Sequence, residues 1–191
     1  MSRWTLWTSV SILALTLTLG ALPAVARVGG KPPPFELPPA QGGPSSEPFR
    51  LSAHLGKNPV VILFWATWCG PCMQEMPFYQ KLYEEYRDQG LQVVAISMDS
   101  QSTVMRAGPT ARRLGVTYDV VTDLDTRVTT QMNPRQAAPF SIWVNREGRI
   151  VWEREGFAPS EKDVIEKGIA KLVKSSKGAS KEKKKNEKPD S

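Results

Sequence analysis

The chain contains two cysteines, three residues apart in Cys69-Gly70-Pro71-Cys72. Two thiols at that spacing can close to a disulfide and reopen, so the chemistry on offer is thiol–disulfide exchange. The motif follows a buried-type apolar run and opens a helical pattern, which puts Cys69 at a helix N-terminus. There the unpaired backbone N–H groups and the positive end of the helix dipole favour the thiolate, the nucleophilic form. Pro71 suits a first turn, where its missing N–H has no bond to lose. Cys72, a turn further in, is set to attack a mixed disulfide formed by Cys69. A fixed staple is the other use of such a pair, but a bridge across so short a loop removes little freedom from the unfolded chain, and longer loops gain more.

Few other residues offer chemistry. His54 is the only histidine and lies in Leu51-Ser52-Ala53-His54-Leu55-Gly56, ahead of the first buried run. Without a second His for a relay or metal cluster it reads as structural. Two Cys and one His cannot fill a four-ligand zinc site without a carboxylate, so no metal or other cofactor is expected. Copper(I) favours soft thiolates, which keeps a thiol-based binding module such as a copper metallochaperone as the alternative class. Glu75 is spaced three residues past Cys72, on the same side of a helix and near enough to exchange a proton with it. A Glu in an early helical turn is also favoured by the dipole alone.

The elements that must position these residues alternate between strand and helix. Val60–Trp65 is a continuous β-branched and aromatic run, the pattern of a strand buried on both faces. Met76, Tyr79, Tyr83 and Tyr86 then fall on one helical face, with Gly90 as the stop. Residues 91–97 form a second buried strand, completing a strand, helix, parallel strand crossover. Gly108-Pro109 is expected to interrupt any helix between 98 and 118, leaving a last turn at 112–114. A short strand at 120–122 and a short helix at 125–132 follow. Phe140–Val144 and 149–152 flank a hairpin turn at 145–148. Ser160-x-x-Asp163 resembles a capping box, with Ile165, Ile169, Leu172 and Val173 on one face of a closing helix. The fold class is α/β, a mixed central sheet flanked by helices.

The ends of the 191-residue chain are accessories to one domain. Residues 1–26 read as a secretory signal, with Arg3, an apolar stretch at 10–22 and a small-residue site at Ala24-Val25-Ala26. Cleavage after Ala26 is expected. The alternative is an uncleaved N-terminal anchor, since apolar character reaches back to Trp4 and a span needs about 20 apolar residues. Both export the domain. A Pro- and Gly-rich lead covers 27–48, with Phe35-Glu36-Leu37 as a candidate edge strand, and the domain fills 32–173. Residues 174–191 carry seven Lys against Glu182, Glu187 and Asp190, and are expected to be disordered. Without that tail and Arg3, the formal charge of +6 falls to +1. The basic balance is a property of the tail, which reads as a solvated, solubilising segment with membrane contact as the alternative, and no nucleic-acid module is visible.

Phe64-Trp65-Ala66-Thr67-Trp68-Cys69-Gly70-Pro71-Cys72, followed by Glu75-Met76-Pro77, resembles the active site of the TlpA/ResA-like thioredoxins. The resemblance covers nearly all of 32–173 and implies a thioredoxin-like fold. It also implies a periplasmic or extracytoplasmic protein-disulfide reductase, often in cytochrome c maturation, acting on client proteins with disulfides. Carried over by position, Cys69 resembles the attacking cysteine, Cys72 the resolving one and Glu75 the proton-handling acid. Pro139, in Ala137-Ala138-Pro139-Phe140, matches the cis-proline whose preceding residue, Ala138, pairs with a substrate strand beside Trp68. From sequence alone Pro139 also suits a trans proline opening an edge strand. In an oxidising compartment the reductant must be recharged, which by resemblance implies a membrane electron donor of the DsbD/CcdA type. Sco-type copper proteins use C-x-x-x-C with a distant His, and a peroxidase needs a separate Thr-x-x-Cys site; this chain has neither. One departure stands out: thioredoxin has a buried Asp six residues before its first cysteine, where this chain has Leu63. The Gly108-Pro109 pair is a second, lying where the family inserts an extra helix.

Overall fold

The computed structural model describes residues 27–185, with side chains to 175. The signal and its cleavage site lie outside the described residues, as do 186–191. Strands β1 (Glu36–Leu37) and β2 (Phe49–Arg50) pair antiparallel in a small sheet of the lead. The main sheet holds β3 (Val60–Trp65), β4 (Gln92–Ser97), β5 (Asp119–Thr122), β6 (Phe140–Val144) and β7 (Ile150–Glu155) in the order β5-β4-β3-β6-β7. The β3, β4 and β5 strands run parallel, while β6 and β7 are antiparallel to their neighbours. Helices α1 (Cys72–Tyr86), α2 (Ala107–Arg113), α3 (Arg127–Met132) and α4 (Lys162–Lys185) complete the chain.

Successive strand residues point to opposite faces, so the uninterrupted apolar run of β3 feeds two cores. Val61, Leu63 and Trp65 pack with Met76 and Tyr79 of α1, Ala107 and Ala111 of α2, and Ile165 and Ile169 of α4. Val60, Ile62 and Phe64 pack on the other face with Phe35, Phe49, Val128 and Met132. The mixed sheet flanked by helices is the architecture expected. His54 belongs to the second face, stacked on Phe49 at a centroid distance of 5.0 Å. Burial holds its imidazole below the usual His pKa.

Two expectations are corrected. Gly108-Pro109 does not break a helix; it sits in the first turn of α2. Pro109 falls among the first residues of that helix, whose N–H groups have no intrahelical partner, so its ring costs no bond. Gly108 is required by close approach: a Cβ there would overlap the backbone O of Gln41 and N of Gly43, and lie 2.7 Å from Gly42 C. Backbone cannot move aside as a side chain can. Gly108→Ala is therefore expected to cost about 3 kcal/mol, a fall in Tm of roughly 6–12 °C, read by thermal unfolding.

The start of the closing helix also differs. Residues Pro159–Glu161 form a 3-10 turn, and Glu161 rather than Asp163 returns to the chain, its carboxylate accepting the Ala158 N–H at 3.0 Å. The α4 helix runs on past Val173 to Lys185. The added stretch is mostly Lys, Ala, Ser and Glu, and Lys, Ala and Glu are strong helix formers that extend an existing helix without tertiary contacts.

Candidate active site

The β3 strand ends at Trp65, and the chain turns through 66–71 before α1 begins at Cys72. Within the turn the Cys69 N–H donates to Ala66 O at 3.1 Å, and Met73 N–H donates to Gly70 O at 3.1 Å. Cys69 and Cys72 are joined as a disulfide, with Cα atoms 5.4 Å apart. The Cys72 N–H donates to Cys69 Sγ at 3.3 Å. In the reduced protein that donor, together with the free N–H groups of the first helical turn, stabilises negative charge on Cys69. Cys72 is fully buried and Cys69 retains 4% exposure, so of the two only Cys69 offers surface to a partner. Trp68, just before it, is 64% exposed.

Two buried polar residues absent from the sequence reading hold the loops on either side. Asp99, just past β4, accepts from Thr67 N–H at 3.0 Å, Thr67 Oγ1 at 2.6 Å and Ser97 Oγ at 2.8 Å, tying the active-site turn to the neighbouring strand. Asn133 donates from Nδ2 to Ala137 O at 2.8 Å and accepts the Ala137 N–H at 3.0 Å on Oδ1. This clasp shapes the approach to Ala138–Pro139, whose peptide bond is cis. Phe140 pairs with Phe64 near the end of β3, which brings 138–140 beside the disulfide turn. Ala138 packs, half-buried, against the core that contains both cysteines.

Glu75 lies one turn past Cys72 and is 1% exposed. Burial disfavours its charged form and pushes its pKa up to about 8 from 4.5, against the opposing pull of the Arg154 cation. Its Oε2 has no hydrogen-bond partner among the described residues. The cation reaches it through sheet register: Leu63 pairs with Ser141 and Ser141 with Arg154. Residues directly opposite across strands share a face, so this row lies on the side covered by α1. Arg154 is itself held, its Nε donating to Gly156 O at 3.1 Å and its guanidinium paired with Glu161. Of the two influences on Glu75, desolvation is the larger. Beside them Trp143 Nε1 donates to the Tyr79 hydroxyl at 3.2 Å, and burial and the Glu75 charge both push the Tyr79 pKa up. Arg154 had one legible signal, its two-residue offset from Trp152, which puts both on the inner face of a strand.

The structure thus brings Cys69, Cys72, Glu75, Ala138 and Pro139 to one end of the sheet, with Trp68 at its rim. It can exchange disulfides and hold a proton near neutral pH.

Comparisons with known proteins agree. Residues 28–153 match the model of the AhpC/TSA family. The thiol-disulfide oxidoreductase ResA of Halalkalibacterium halodurans is 33% identical over 155 residues, covering 76% of this chain and 83% of that one. ResA of Oceanobacillus iheyensis is 41% identical over 81 residues, a match spanning 42% of each chain. Among solved structures, a Chlorobium tepidum chain described as thiol:disulfide interchange protein DsbE is 27% identical with a TM-score of 0.68, covering 78% of this chain and 99% of its own. A Bacteroides thetaiotaomicron chain described as a protein disulfide isomerase is 26% identical with a TM-score of 0.67, covering 80% and 94%. With its redox pair at the start of α1 and its fold shared with these relatives, the chain belongs to the AhpC/TSA family and, within it, to the ResA-like thiol–disulfide oxidoreductases.

Proposed function

We propose that this oxidoreductase is an exported reductant of client-protein disulfides. The observation that carries the reading is the asymmetry of the pair: Cys69 holds the exposed surface and the Cys72 N–H bond, while Cys72 is enclosed one turn from Glu75. In the reduced protein the Cys69 thiolate attacks one sulfur of a client disulfide, and the other client sulfur leaves as a thiolate and takes up a proton. Cys72 then gives its proton to Glu75 in its ionised form, the minor form below pH 8, and attacks Cys69 Sγ. The second client sulfur departs as a thiolate and takes up a proton from solvent, leaving the client dithiol and the Cys69–Cys72 disulfide. A carboxyl whose pKa burial pushes up to about 8 is poised both to take a proton and to return it. On recharging, neutral Glu75 returns the proton to the Cys72 thiolate.

Trp68 and the Ala138 backbone flank the client segment, and Pro139 sets the direction of that backbone. The family resemblance supports an extracytoplasmic location, a membrane electron donor of the DsbD/CcdA type, and clients of cytochrome c maturation. Equilibration with dithiothreitol buffers is expected to give a reduction potential near the −270 mV typical of thioredoxin, roughly, with catalysed reduction of insulin. A potential near that of DsbA, about −120 mV, would make it an oxidant. Stoichiometric copper(I) binding without disulfide turnover would transfer it to the metallochaperone class.

A further inference from the structure

A groove of about 450 Å³ adjoins the redox pair, lined by Thr67, Trp68, Met105, Arg106, Thr110 and Arg113 among others. One wall is the residue preceding Cys69; the other is the connection between β4 and β5, with α2 in it. We propose that this groove selects client segments carrying acidic side chains next to the disulfide to be reduced. The inference rests on the reductase reading for what is reduced, and on the groove itself for what is bound.

Charge is the first support. Residues 100–118 contain Arg106, Arg112 and Arg113 and no Asp or Glu, although residues 27–173 as a whole carry only +1. The concentration is therefore local. Arg112 turns away toward Gly42. Arg106 and Arg113 are exposed on the groove, and among the described residues neither has an ion-pair partner. Among the described residues no carboxylate lines the groove; Asp99, which holds Thr67 from behind, is 3% exposed and accepts three hydrogen bonds from Thr67 and Ser97. It is committed to the turn. Two free guanidinium groups present planar forks suited to carboxylates.

Exposed apolar surface is the second support. Trp68 is 64% and Met105 57% exposed, and both border this groove. An aromatic anchor beside cations is the composition of a polypeptide-binding site, in which the anchor gives affinity and the rim charges give partner choice and encounter rate. The groove is lined by Trp68, the residue before Cys69, so a client seated in it lies beside the attacking cysteine.

The test uses the mature chain and two disulfide-containing peptides of equal length, one flanked by Asp and Glu and the other by Lys. Wild type is expected to favour the acidic peptide by roughly 10-fold in kcat/KM at low ionic strength, with the preference shrinking as salt shortens the screening length. The double variant Arg106→Glu, Arg113→Glu is expected to reverse the preference. Equal rates on the two peptides, or a preference that survives the double variant, would overturn the proposal. Binding of the same peptides with their cysteines replaced by serine, read by anisotropy of a fluorescent label, decides the groove separately from the chemistry. Acidic-selective binding that is lost in the double variant supports the groove even where no disulfide turns over, and absence of that selectivity sinks it. Failure of wild type to reduce hydroxyethyl disulfide, which is uncharged and too small to use the groove, tells against the reductase reading alone.

Discussion

Cys72→Ser is expected to lock Cys69 onto client proteins as stable mixed disulfides, while Cys69→Ser yields almost none, and each lowers turnover by on the order of 10³-fold or more. The basis is geometric. Cys69 alone has surface from which to meet a second disulfide, and its sulfur alone receives the Cys72 N–H. With Cys72 replaced, the first exchange proceeds and the second lacks its nucleophile. Non-reducing electrophoresis of the two variants after exposure to oxidised clients distinguishes them. Trapping by Cys69→Ser instead would assign the attack to Cys72, and the turn would then have to open before a client could be reached.

The second large effect is one of pH. Glu75 has a folded-state pKa of about 8 because burial penalises its charge, against 4.5 when solvated. Below pH 4.5 the carboxyl is protonated in both folded and unfolded chains and costs nothing. Between 4.5 and 8 the unfolded chain gives up the proton and the folded one keeps it, so stability declines as pH rises, and above 8 the full penalty is present. The loss is about 1.4 kcal/mol for each pH unit, on the order of 5 kcal/mol across that window. Glu75→Gln removes the titration at nearly constant size. Its Tm is expected to stay nearly level from pH 5 to 9 where wild type falls by on the order of 10 °C. The same variant is expected to slow resolution by roughly 10²-fold and to erase the inflection near pH 8 in thiol reactivity. A wild-type stability curve that rises across this window would contradict a buried neutral acid.

Much of the framework is visible in the sequence because its signals are local. The β3 run, the one-sided pattern of α1 and the apolar face of α4 each state their own environment. What escaped depends on distant partners. Gly108 reads as a breaker until the backbone of 41–43 is found lying against it. The β7 strand reads as ending at Trp152, since Glu153, Arg154 and Glu155 look like loop residues, yet its register with β6 continues to Glu155. An edge strand can alternate polar residues without losing its ladder. Asp99 and Thr67 are 32 residues apart, and Asn133 is recognisable only once its clasp on Ala137 exists. Within the site, the cysteines are legible from their own spacing, whereas the role of Glu75, one helical turn on, is an expectation that comes from the family resemblance. Arg154 offers only its two-residue offset from Trp152, and its role at Glu75 depends on register across β3, β6 and β7.

Moving the acid off the sheet changes what the site is sensitive to. An acid at the position of Leu63 would belong to a different layer from the cysteines, and any slippage of helix against sheet would alter its distance to the thiol. Glu75 travels with Cys72 on the same backbone turn, so their spacing is set by helix geometry and persists through repacking of that interface. The partner left behind on the sheet is Arg154, a charge whose influence falls gradually with distance rather than a hydrogen bond that is made or broken. Proton exchange is thus tied to a rigid spacing, and the layer boundary carries only a graded field, so small shifts of α1 would retune the acidity of the site without disconnecting it.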